Sequence, residues 1–361
     1  MRTIYTSCLM TIAALAVATS CGKSDTPAAA SGPVDVRLVV SSGNNTRVGS
    51  DETDNDIRQL RVYAFNADGE KVGYAEADNL KGQNYIPITL SEDGDINFYV
   101  IANDNFGPRP KVGTTSVTDW TSLSKTDLES LKFDLSGFSG WSATDDFVSP
   151  MSNNLKDEFG NDLENNKAYS NPVTVTKPTS GSLVIPVTVQ HVLGRLRLML
   201  NKESDDVTIT LKRAAVYNRP DYFLLYNSGS ADIKYDNNKS LVDEFVVSDI
   251  PLGTTQKEVA RTYLAPNLYG SSDPDTYTAQ KTDGTTSSNG LNEAYRLDLT
   301  VEFAYSTRTS ETKNYKVYLP RVPRNTSIDV QGTFKGTVVK PEFNVMTEAW
   351  VEKVMDIPEF E

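Results

Sequence analysis

Residues 34–40 read Val-Asp-Val-Arg-Leu-Val-Val, and Val34, Val36, Leu38 and Val40 make every second position apolar. A period of two is the mark of a β-strand with one buried face. The polar run Ser41-Ser42-Gly43-Asn44-Asn45-Thr46-Arg47-Val48-Gly49-Ser50 follows at once. Its turn-forming residues predict an exposed loop, which puts Arg47 within reach of an arginine-specific protease. A cut between Arg47 and Val48 would part the strand from everything downstream. If the strand belongs to a sheet, its departure opens an apolar groove.

The same period recurs along the chain. Gln59 to Phe65, the turn Asn66-Ala67-Asp68-Gly69 and Val72 to Ala77 predict a hairpin. Tyr85 to Leu90, the turn Glu92-Asp93-Gly94-Asp95 and Ile96 to Ala102 predict a second. Further strands are expected at Leu183–Val189, His191–Leu200, Val207–Tyr217, Leu241–Val247, Ala260–Leu264, Tyr295–Ala304, Tyr315–Leu319 and Thr326–Phe334. One helix is expected after Ser124-Lys125-Thr126-Asp127, which has the form of a capping box. Short strands separated by turns point to a mainly β chain built as a sandwich or barrel. The length, 361 residues, suits two domains, expected over 48–188 and 189–361.

The first 20 residues have the form of a secretory signal, with Arg2 ahead of an apolar run from Leu9 to Ala18. Ala18-Thr19-Ser20-Cys21 then fits a bacterial lipobox, with Cys21 as the acylated residue. Ala18 stands where a larger aliphatic residue is usual, and an ordinary signal peptide with a coincidental cysteine is the other reading. Residues 21–47 then form a propeptide: a tether rich in Ser, Ala, Gly and Pro, the strand, and the arginine loop. Acyl chains at Cys21 would hold the precursor at a membrane.

Composition narrows the chemistry. Asp and Glu exceed Lys and Arg by 13, which argues against a nucleic-acid partner. The two cysteines, Cys8 and Cys21, and the single histidine, His191, leave no thiolate or multi-histidine metal site in the body of the chain. His191 is read as a buried, satisfied histidine at the start of a strand. No glycine-rich phosphate loop, serine elbow or zinc motif is present, so no enzyme and no cofactor are expected. The acidic run Asp51 to Asp56 lacks the glycine and distal glutamate of a calcium loop and reads as solvated chain. Trp120 and Trp141 fall in loop-like stretches, as buried plugs or as stacking platforms for sugars.

Several short motifs, in order, resemble the fimbrillins of the Bacteroidales, the FimA-type subunits of type V pili. They are the lipobox at Cys21, the pre-sequence ending Asn45-Thr46-Arg47, and the strand Leu60-Arg61-Val62-Tyr63-Ala64-Phe65. Tyr99-Val100-Ile101-Ala102-Asn103, Pro150-Met151-Ser152, the passage Val187 to Leu200, Arg324-Asn325-Thr326 and Ala349-Trp350-Val351 continue the likeness. The resemblance implies two transthyretin-like antiparallel β-sandwich domains in tandem. It also implies export as a lipoprotein to the outer membrane, cleavage after Arg47 by an arginine-specific protease, and polymerisation with copies of itself and related subunits by strand exchange. In that scheme the strand holding Val34, Val36, Leu38 and Val40 is removed. The segment Phe343–Ile357, through Phe343, Val345, Val351, Met355 and Ile357, is donated to the next subunit. A second reading has residues 343–357 closing their own sandwich. The expected role is a stalk subunit of a surface fimbrium that supports adhesion to a host or bacterial surface ligand. An anchor or tip-accessory subunit, and a glycan-binding surface lipoprotein, are the alternatives.

Overall fold

The computed structural model describes residues 32–42, 56–80, 85–135, 148–153, 173–226, 241–267, 270–271, 279–280, 286–287, 294–335 and 342–349. Its first half contains β1 (Val34–Ser42), β2 (Gln59–Phe65), β3 (Lys71–Asp78), β4 (Tyr85–Leu90), β5 (Gly94–Ala102), β6 (Arg109–Val112) and β7 (Thr115–Ser116). A short helix α1 (Lys125–Glu129) precedes β8 (Leu131–Asp134), β9 (Met151–Ser152), β10 (Val173–Val175) and β11 (Leu183–His191). The second half contains β12 (Gly194–Lys202), β13 (Val207–Arg219), β14 (Tyr222–Leu224), β15 (Leu241–Val246), β16 (Ile250–Pro251) and β17 (Lys257–Leu264). It continues with β18 (Gly270–Ser271), β19 (Ala279–Gln280), β20 (Thr286–Ser287), β21 (Arg296–Tyr305), β22 (Glu311–Tyr318), β23 (Thr326–Phe334) and β24 (Glu342–Ala349).

The first sheet runs β3-β2-β5-β9-β11-β1-β4, with β10 beside β5. It folds over on itself, so that β2, β3 and β5 face β1, β4 and β11 across one apolar core. The expected hairpin of β2 and β3 is present, with Gly69 at φ 83° in its turn. The second expected hairpin is not. β4 pairs with β1, and β5 pairs with β2, β9 and β10, so the turn after Leu90 crosses between layers. The place beside β4 is taken by β1, about 50 residues upstream, which the residues around β4 could not reveal.

In the second half, β17-β12-β23-β24 packs on β15-β13-β21-β22 around another core. The two sandwiches share a plan. β1 is parallel to β11 and antiparallel to β4, and β12 is parallel to β23 and antiparallel to β17. Each sandwich therefore holds one parallel pair, and the sheets are mixed rather than purely antiparallel. The passage from one to the other falls at Val192 and Leu193, because β11, which a boundary at 188 would divide, lies wholly in the first sheet.

A third core joins the halves. β14 of the second half pairs with β8 of the first in the small sheet β14-β8-β6-β7. Tyr63, Phe65, Tyr99 and Ile101, on the faces of β2 and β5 turned away from the first core, pack with Phe133, Phe223, Tyr226 and Tyr263. β2 and β5 are thus covered on both faces, which explains their nearly continuous apolar sequences. The expected capping box is present: the Ser124 side chain accepts from the Asp127 amide, and the Asp127 carboxylate accepts from the Ser124 amide. It sets Leu128 into this third core.

Candidate strand-exchange site

β1 occupies the slot between β4 and β11. Its register runs from Val34 opposite Leu90 to Val39 opposite Tyr85 on one side. On the other it runs from Val36 opposite Leu183 to Ser42 opposite Val189. Val36 to Val39 are therefore paired on both sides, Val34 and Asp35 with β4 alone, and Val40 to Ser42 with β11 alone. Val34, Val36, Leu38 and Val40 are each at most 1% exposed. They share their core with Ile86, Ile88 and Leu90 of β4 and with Ile185, Val187 and Val189 of β11. The opposing layer comes so close that a Cβ on Gly73 would lie 2.8 Å from the Leu90 side chain.

On the outer face, the Thr89 hydroxyl donates to Asp35 at 2.8 Å, and the Arg37 guanidinium lies 4.8 Å from the centre of the Tyr85 ring. Val39, on the same parity as Asp35 and Arg37, is nevertheless 3% exposed. The sequence reading did not include it among the strand's buried positions; the paired valines Val39-Val40 were the available signal.

The connections of β1 differ from those of its counterpart β12. Two residues join β12 to β11 and four join it to β13, whereas β1 reaches β2 through residues 43–58. Cys21, Arg47 and Val48 lie outside the described residues.

At the other end of the chain, β24 pairs antiparallel with β23 and ends its sheet. The Phe343 ring sits 5.9 Å from Phe334 and 6.0 Å from Tyr315, edge to face with each. Its slot exists because Gly332, directly opposite, has no side chain: a Cβ there would lie 2.8 Å from the ring. Val345 packs on the same core. Phe343 and Val345 thus pack on their own sandwich in this structure. Val351, Met355 and Ile357 lie outside the described residues.

His191 ends β11 rather than starting a strand, and it is fully buried. Burial, with a smaller contribution from the Arg195 charge, pushes its pKa down to about 3, so the imidazole is neutral at physiological pH. Trp120 is half-buried against the third core with the Arg61 guanidinium 4.9 Å from its ring, and its carbonyl accepts from Tyr63 at 2.8 Å. It serves as a plug; Trp141 lies outside the described residues. Among the described residues no group of three or more His, Cys, Asp or Glu side chains is gathered as a metal site would require.

Two β-sandwiches, the first completed by β1 from upstream of its other strands, define a class of two-domain β fold. The model of the major fimbrial subunit protein (FimA) family matches residues 33–213, and the chain belongs to that family. The fold agrees. The tip fimbrial protein Mfa3 of Porphyromonas gingivalis, solved with a C-terminal truncation, is 14% identical, with a TM-score of 0.52 over 88% of this chain and 100% of that one. A fimbrilin (FimA) of P. gingivalis W83 is also 14% identical, with a TM-score of 0.52 over 89% of this chain and 99% of that one. No curated protein matches. Fimbrial subunits are structural parts of cell-surface appendages and polymerise with copies of themselves and related subunits; this is not an enzyme class.

Proposed function

We propose that the chain is a stalk subunit exported as a lipoprotein through Cys21, cut between Arg47 and Val48, and polymerised by exchange of β1 for a strand of a neighbouring subunit. The observation that carries this reading is the position of β1, between two strands and joined to the other described strands through residues 43–58. Burying four aliphatic side chains at about 2 kcal/mol each amounts to on the order of 8 kcal/mol, which an emptied slot forfeits. Two unpaired strand edges add to that cost. A strand from another subunit restores both terms, as in β-strand addition. β12, its counterpart, is tied by short connections at both ends and cannot leave.

With Phe343 and Val345 engaged in their own sandwich, the donated residues on this reading are Val351, Met355 and Ile357. The partners are other subunits and an arginine-specific protease, with the lipid holding the precursor at the outer membrane until the cut. Mass spectrometry of the N-terminus of sheared surface fibres tests the proposal. A start at Val48 supports it. A start at lipidated Cys21 overturns the stalk role and favours an anchor, which keeps its lipid and its own first strand.

A further inference from the structure

One side chain, that of Asn103, bonds the backbone of the segment that leads into β2 at three residues, beside the Leu80 amide, which donates to the Arg58 carbonyl, and Ile57, which is buried in the first core. Asn103, directly after β5, adopts φ 57°, a left-handed conformation that asparagine tolerates better than most residues. Its Oδ1 accepts from the Arg58 amide at 2.9 Å and from the Gln59 amide at 3.3 Å. Its Nδ2 donates to the Asp56 carbonyl at 2.8 Å and to the Ser149 carbonyl at 3.1 Å. Its own amide donates to the Gln59 carbonyl at 3.1 Å. Two amides face one end of the side chain and two carbonyls face the other, so both ends are used and only an amide side chain serves. Asn103 is 5% exposed, so these bonds are shielded from water.

We infer that Asn103 is a positioning residue for strand exchange: it retains residues 56–59 on the body when the chain between β1 and β2 is severed. This inference rests on the cleavage reading above. Before a cut, residues 43–55 tie the start of β2 to β1. After it, the start of β2 becomes the root of a free N-terminus, next to a strand that must leave. The opposite stump, Val40 to Ser42, is paired with β11 alone. The two stumps are thus unequally held, and the chain on the β2 side stays while β1 can go. Were the root of β2 to fray, Leu60 and Val62, fully buried beneath the slot, would lose their seating and the slot its opposing layer.

The test compares wild type with Asn103→Gly, which keeps the left-handed backbone and removes the side chain, and Asn103→Asp, which sets a second acceptor against the Asp56 and Ser149 carbonyls. Full-length precursors are studied uncut and after arginine-specific cleavage, the peptide being supplied in excess so that it can displace the cut strand. Amide hydrogen exchange is followed at residues 58–60, with uptake of a labelled peptide of sequence 34–42. Cut wild type is expected to keep protection at residues 58–60 and to take up the peptide. Both variants, folded when uncut, are expected after cleavage to exchange at residues 58–60 at least tenfold faster and to bind the peptide at least tenfold more weakly. Equal protection and uptake in the cut variants overturns the inference. So does failure of both uncut variants to fold, since Asn103 would then be needed whether or not the chain is cut. If cut wild type takes up no peptide, strand exchange itself fails, and the exchange data alone still decide the role of Asn103.

Discussion

The Tyr226 hydroxyl donates to the Val100 carbonyl at 2.9 Å, joining residues 126 positions apart in sequence and on opposite halves of the molecule. The same hydroxyl lies 3.3 Å from Asn153 Oδ1, and the ring packs edge to face on Tyr99 at 5.1 Å. Burial pushes the phenol pKa well above its ordinary value, so it remains a donor. Arg324 adds bonds from its guanidinium to the carbonyls of Leu224 and Leu225, beside the strand that pairs with β8. This network fixes the two sandwiches to each other.

We predict that Tyr226→Phe, which keeps the ring and deletes the hydroxyl, lowers unfolding stability by about 1–2 kcal/mol, since buried groups lose a partner. Chemical denaturation monitored by fluorescence measures it. No change in midpoint would mean the hydroxyl contributes nothing to the junction.

A second prediction concerns β24. Gly332→Ala places a methyl group 2.8 Å from the Phe343 ring and within 3.0 Å of the Leu200 side chain. Overpacking of this kind costs about 1–3 kcal/mol. The double variant Gly332→Ala, Phe343→Ala relieves the clash at the ring, so the two changes are expected to be non-additive in a double-mutant cycle. Strict additivity would mean that the ring does not occupy this slot in solution.

Much of this was legible because β1, β12 and β21 bury one face, and period two then appears directly in sequence. What was not legible follows from long-range geometry. The burial of Tyr63, Phe65 and Tyr99 depends on a second layer that includes Phe133, Phe223, Tyr226 and Tyr263, which no local pattern announces. The pairing of β4 with β1 rather than β5 depends on a strand about 50 residues upstream. The Ala102-Asn103 ending was visible as a family-like motif, but its meaning lies in the bonds that Asn103 makes to residues 56–59 and 149. The likeness of β12 to β1 is one of pairing, and pairing is absent from a single sequence.

A third prediction concerns acid stability. His191 titrates near 6.5 in the unfolded chain and near 3 in the fold. A depressed folded-state pKa gives stability that is present above the unfolded value and lost as pH falls towards the folded one. Between pH 6.5 and about 3 this group alone removes about 1.4 kcal/mol per pH unit. Asp243 acts in the opposite sense. Burial raises its pKa to about 6, although the Arg219 charge beside it pulls the other way. A raised folded-state pKa gives stability that is present below the ordinary carboxylate value and lost as pH rises through about 6. The two contributions oppose one another between about pH 6 and 4. We predict that wild type is nearly flat there and loses stability more steeply below pH 4, whereas His191→Gln lacks the His191 part of that loss. Unfolding midpoints from pH 7 to 3.5 measure both curves. Parallel curves for the two proteins would remove His191 as the source.

The last prediction is that cutting at Arg47 does not by itself release β1. Val36 to Val39 are paired on both sides, and four side chains are seated in a core that the cut does not touch. That burial is worth on the order of 8 kcal/mol, and the pairing of Val36 to Val39 on both sides holds the strand as well, so the fragment remains as a non-covalent plug. The incoming strand must then displace it, starting where β1 is held on one side only. Leu38→Asp sets a carboxylate between Ile86 and Ile185, its partners in register. An unpaired buried charge costs several kcal/mol, enough to weaken the plug without touching the cut site. Native mass spectrometry after arginine-specific cleavage is expected to show wild type at its precursor mass plus one water, losing the N-terminal fragment only in denaturant. The Leu38→Asp protein is expected to lose the fragment in native buffer. Release of the wild-type fragment at the rate of cleavage would mean that the protease alone opens the slot and that no displacement step is required.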